Sequence, residues 1–127
     1  MRPHSWRSRL LGTQGTYYVL TGLWPILHIH SFEAVSGPKA DDWLVRMVGL
    51  LAAVIGSTLV AAARRGTHQL EIMLLAAGSA LAFAAVDIRY GLSGRISPVY
   101  LADAVIEIGF LAMLAGTSRT SAARTVE

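Results

Sequence analysis

Four stretches of this chain are apolar for about as long as a membrane-crossing helix requires, roughly 20 residues each. They cover residues 13–32, 43–63, 69–88 and 98–116, and they predict an all-α fold: an integral membrane four-helix bundle, with residues 1–127 forming one domain. The connections are punctuated accordingly. Ser36, Gly37 and Pro38 turn the chain after the first segment, and Asp41 or Asp42 can cap the second. Arg64 and Arg65 place positive charge at the C-terminus of that helix, and Gly66 supplies a left-handed cap. Ser97 followed by Pro98 reads as an N-cap and a first helical residue. Within the first segment, Pro25 cannot bond the carbonyl of Thr21, so a kink is expected near Trp24 and Pro25. Arg2, Arg7 and Arg9 precede that segment as they would a signal peptide, but no small-residue cleavage site follows. It is therefore expected to remain as a span.

Small residues recur along the second segment (Gly49, Ala53, Gly56) and the third (Ala76, Gly78, Ala80, Ala84). Lipid gives apolar side chains no reason to associate, so close backbone approach must do so, and the second and third segments are expected to pair tightly. Composition agrees with a membrane setting. The chain is 54% apolar and 15% charged, against about a quarter charged in soluble domains. It has no cysteine, which excludes disulfides, thiolate metal sites and thiol redox chemistry. Nothing in it resembles a nucleic-acid surface.

Charge placement sets an expected orientation. Arg2, Arg7, Arg9, Arg64, Arg65, Arg119 and Arg124 fall on the side of the two termini, against Lys39, Arg46, Arg89 and Arg95 on the other. The positive-inside rule then puts both termini in the cytoplasm of a bacterial inner membrane. Trp6, Trp43, Tyr90 and Tyr100 fall near the expected interfaces. All acidic residues except Glu71 and Glu127 lie toward the outer side, where a polar mouth is predicted.

That mouth contains the candidate ligand-binding residues His28, His30, Glu33, Arg46, Asp87, Asp103 and Glu107. Asp103 and Glu107 are one helical turn apart and share a face. Carboxylates inside a span normally face the bundle interior, and two so close favour a shared proton or a cationic partner. Arg46, at similar depth, is the expected partner. Asp87, near the C-terminal end of its helix, opposes the helix dipole and calls for a basic partner such as Arg46, Arg89 or Arg95. His28 and His30 point to nearly opposite sides of a helix and cannot chelate one ion. His30 and Glu33 could do so only if a carboxylate from the last segment joined them, and no metal is assigned. His4 and His68 lie at the other face, so a haem held with His28 is excluded. No cofactor is assigned.

Gly15 and Gly22 in the first segment, the outer loop, and Arg46-x-x-Gly49 followed by Gly56 resemble the DoxX-like group of small four-helix bacterial membrane proteins. That resemblance implies a four-span bundle, and for some members of the group a role as accessory subunits of quinone-linked oxidoreductases is proposed. Three functional readings follow. The favoured one is a non-catalytic subunit or ligand-binding bundle whose outer site holds a membrane lipid, a quinone or a protein partner, including a second copy of the chain. The others are a proton-coupled transporter using Asp103 and Glu107, and a membrane enzyme acting on an amphipathic, sterol-like substrate.

Overall fold

The computed structural model describes residues 6–37 and 41–126, with side chains up to residue 117. Every regular element in it is helical: α1 (Trp6–Leu27), α2 (Ile29–Ser36), α3 (Asp42–Arg65), α4 (Leu70–Leu92) and α5 (Val99–Val126). Three of these are long and apolar enough to cross a membrane, namely α3, α4 and the Val99–Thr117 part of α5. The first expected segment behaves differently. Its helix begins at Trp6, so it takes in Arg7 and Arg9, and it ends at Leu27. α1 has the length of a span without the same apolar density.

The kink expected at Trp24 and Pro25 is a break three residues beyond the proline. α1 runs past Pro25, and the His28 amide still bonds the Trp24 carbonyl at 2.9 Å. His28 then turns extended (φ −155°, ψ 87°) and its Nδ1 accepts the Ser31 amide at 3.2 Å, capping α2. The other punctuation falls closer to expectation. Gly66 adopts the left-handed conformation (φ 68°, ψ 25°), and the Thr67 amide bonds the Ala62 carbonyl at 2.9 Å, closing α3. Ser97 Oγ accepts the Val99 amide at 3.3 Å. Asp41 occupies the N-cap of α3 but makes no side-chain bond to the first turn.

The helices pack as two antiparallel pairs, α1 with α3 and α4 with α5. The second and third predicted segments, α3 and α4, meet only thinly, contrary to the pairing expected from their small residues. The reason lies in which glycines face a backbone. A Cβ on Gly15 would meet the Gly56 carbonyl oxygen at 2.6 Å, and one on Gly22 would collide with the Gly49 carbonyl and meet the Ala53 amide at 2.9 Å. Gly78 on α4 has nothing within 4 Å of such a methyl. The small residues of α3 are thus used against α1.

The two ends of the bundle differ. Toward the Ser8 end the space between the pairs is filled by buried Leu10, Leu11, Leu59, Phe110 and Leu114. Polar ties close that end: Ser8 Oγ lies 2.9 Å from His68 Nε2, and Arg7 Nε donates to Thr117 Oγ1 at 3.4 Å. Burial, and then the charge of Arg7, hold the His68 imidazole below its usual value of 6.5.

Two outcomes follow from this packing. Gly22→Ala should lower stability by about 2 kcal/mol by forcing α1 off α3, whereas Gly78→Ala should not, which thermal unfolding in detergent would resolve. Stability should also fall as the pH drops through 6.5. The unfolded chain takes up the His68 proton there while the folded protein resists it. A pH series of unfolding midpoints should show this loss in the parent protein and a flatter profile in His68→Gln.

Candidate functional site

At the His28 end the two helix pairs diverge around a cavity of ≈ 540 Å³ to which all five helices contribute. Its walls are mostly apolar. Exposed Val35, Leu44, Val48, Val99 and Ile106 form the rim, and the rings of Trp24, Phe32 and Tyr100 line it below. Trp24 and Phe32 meet edge to face at 5.4 Å, with the indole Nε1 donating to Ser31 Oγ at 2.8 Å. This ties α2 to the last turn of α1.

The deep end of the cavity is polar. Asp87 from α4, Asp103 and Glu107 from α5, and Tyr17 and Tyr18 from α1 line it together. Glu107 is 1% exposed and Asp87 is 5% exposed, so both carboxyls are withdrawn from the surface of the bundle. Tyr17 donates its hydroxyl to Asp103 Oδ1, and Tyr18 donates to Glu107 Oε1 at 2.6 Å. Gln14 stands behind them, its Nε2 bonding the Tyr18 hydroxyl at 3.1 Å and the Ala76 carbonyl at 2.9 Å. Two oxygens are left over: Asp87 Oδ2, on the cavity lining, and Gln14 Oε1, behind it, are buried and have no partner.

The rings keep the hydroxyls in place. Tyr18 stacks edge-on against Phe83 at 5.3 Å and against Phe110 at 6.4 Å, and Tyr17 lies 6.0 Å from Phe110. Tyr18 is therefore wedged between α4 and α5 and Tyr17 lies against α5, while the tip of each reaches an acid.

Of the residues predicted for this site, Asp87, Asp103 and Glu107 come together and the others do not. Arg46 is exposed and does not line the cavity. Gly49 abuts Pro25, so Arg46, one turn nearer the start of α3, comes about level with the break in α1. The acids take tyrosine hydroxyls as partners instead. Among the described residues lining the cavity there is no Lys, Arg or His, so Asp87 also lacks the basic partner expected for it. His28 and His30 are exposed outside the cavity, with rings 6.2 Å apart. The break at His28 turns Ile29 and Ser36 inward and leaves the two histidines outside. Glu33 is half-buried on the same helix, also away from the cavity lining. Among the described residues no three His, Asp or Glu side chains converge as a metal ion would require.

Gln14, Tyr17 and Tyr18 were the residues that sequence reasoning passed over. The available signal was their spacing: Gln14 and Tyr18 are four apart in an otherwise apolar stretch and share one face, as do Asp103 and Glu107. Two helices each carrying such a pair can satisfy one another inside a bundle.

No protein-family model matches this chain, and no curated protein or solved structure is detectably similar to it. The DoxX-like resemblance therefore rests on the glycine and loop pattern alone.

Removing the Tyr18 hydroxyl should matter more than removing that of Tyr17. Tyr18→Phe strips a buried Glu107 of its donor and Gln14 of an acceptor, an expected loss of about 1–3 kcal/mol. Tyr17 is less buried, and water in the cavity can replace its bond to Asp103, so Tyr17→Phe should be milder. Paired thermal unfolding curves would test the order.

Proposed function

We propose that this chain is a four-span protein of the bacterial inner membrane, with both termini cytoplasmic. In this reading it acts as a non-catalytic bundle that binds an amphipathic molecule in the cavity at its outer end. α1 is the fourth span. Its polar groups suit that role: Gln14 and Tyr18 are buried and bonded to each other, and the hydroxyls of exposed Thr13 and Thr16 donate to the carbonyls of Arg9 and Gly12. A hydroxyl bonded within its own helix can face lipid at little penalty. Its charged residues Arg7 and Arg9 sit in the first turn, at the side where positive charge is expected to remain.

The observation that carries the binding reading is the shape of the site. A cavity of ≈ 540 Å³ is in the range that holds small molecules, and apolar walls with a few convergent polar groups are the usual lining. The apolar walls suit a hydrocarbon body, and the tyrosine and carboxyl end suits a polar head. A proton-coupled carrier would need a polar route to both faces, and the buried leucines of the Ser8 end count against one. The acid-and-histidine pair expected of a general acid–base enzyme does not form in the cavity, since His28 and His30 lie outside it.

Protein purified in mild detergent should retain a small amphipathic molecule detectable by native mass spectrometry. Ala102→Trp, which places a ring at the cavity from an exposed position, should reduce that occupancy several-fold without unfolding the protein. Equal occupancy in the parent and the variant would overturn the cavity as the binding site. A cytoplasmic reporter fused to the C-terminus should be active and a periplasmic one silent.

A further inference from the structure

We infer that the head group this cavity selects is a protonated amine, carried on a single apolar chain and seated against Asp87. The inference rests on the binding reading above and specifies its ligand class.

Asp87 Oδ2 is an acceptor with no donor, on a residue only 5% exposed that lines the cavity. Its neighbours are already committed, since Tyr17 and Tyr18 donate to Asp103 and Glu107. A ligand group that completes the cluster must therefore bring a hydrogen to Asp87. A hydroxyl could supply one, but the electrostatics favour a cation. Three carboxyls line this cavity, and no Lys, Arg or His among the described residues lines it with them. An ammonium offers several N–H donors and the compensating charge in one compact group. Trp24, Phe32, Tyr100 and Phe83 line the same space, and ring faces near a desolvated cation add to its binding. A phosphate-bearing head group would set a negative charge against the same acids, so an aminophospholipid is disfavoured relative to a single-chain amine.

The test uses the full chain in phosphatidylcholine nanodiscs, with Trp6 and Trp43 replaced by phenylalanine. Both are exposed, at 60% and 63%, so Trp24 becomes the reporting indole. The probes are dodecylamine and 1-dodecanol bearing a vicinal dibromide, which quenches indole emission on contact. The amine should quench saturably, with a Kd at least about tenfold below that of the alcohol, as a charge-assisted bond implies. Asp87→Asn should raise the amine's Kd by about tenfold and leave the alcohol's within about twofold. Added phosphatidylethanolamine should not displace the amine. Equal Kd values for amine and alcohol in the parent protein would overturn the amine assignment while leaving the cavity as a binding site. Absence of saturable quenching by either would overturn both. Displacement by phosphatidylethanolamine would move the ligand to the lipid pool and overturn the single-chain assignment. Should Asp87→Asn fail to fold, the amine-to-alcohol ratio in the parent protein still decides.

Discussion

The backbone of α1 rests directly on that of α3 at two glycine pairs, and the placement of the polar side chains of α1 follows from that contact. Where lipid replaces water, leucine against leucine gains nothing over leucine against an acyl chain, so helices join where their backbones can touch. Gly15 against Gly56 and Gly22 against Gly49 are such points. They fix the rotation of α1, and with it the direction in which Gln14, Tyr17 and Tyr18 project. Those side chains then reach across to α5 and α4, where hydrogen bonds and aromatic edges join the two helix pairs beside the cavity. Tight apolar packing continues only toward the Ser8 end. The cavity is what remains where α1 breaks at His28 and its partner helices continue.

Much of this architecture could be read in the residues, because caps and breakers act locally. Gly66, Ser97 and Pro25 signal ends and interruptions through their own backbone chemistry, and the structure uses each within a few residues of the expected place. The grouping of Asp87, Asp103 and Glu107 was legible for a different reason: ionisable groups in apolar spans have few places to go. Helix pairing was not legible. Both α3 and α4 carry small residues, and only the three-dimensional register shows which set meets a backbone. Arg46 misled for a related reason. Similar depth along two helices implies contact only if both side chains turn into the same space, and Arg46 stays exposed outside the cavity. The tyrosines were overlooked because a residue in an apolar run reads as apolar, and the hydroxyl counts only once an acid is found opposite it.

The division of labour between the ends also explains why a short chain can keep three acids inside. The packed end, with its leucines and the Ser8–His68 and Arg7–Thr117 ties, holds the helices without help from the acids. The open end is then free to keep an unpartnered oxygen. A core that depended on the cluster for cohesion would have to satisfy every atom in it. Here the cluster has its own donors from α1 and leaves Asp87 Oδ2 and Gln14 Oε1 without partners.

The depth of the carboxyls has an electrical meaning. Glu107 lies two turns into α5, about 12 Å from its start at the standard helical rise. Across a hydrocarbon thickness of about 30 Å, a unit charge that travels this far crosses roughly 0.4 of the transmembrane potential. At about 2.3 kcal/mol per charge for 100 mV, this amounts to about 0.9 kcal/mol. In the proposed orientation, with the cavity toward the outer side and the cytoplasm negative, the potential would draw a cation toward the acids and oppose its escape. Occupancy of such a site would track the energisation of the cell as well as the supply of ligand, and collapsing the potential would loosen a bound cation by roughly four- to fivefold.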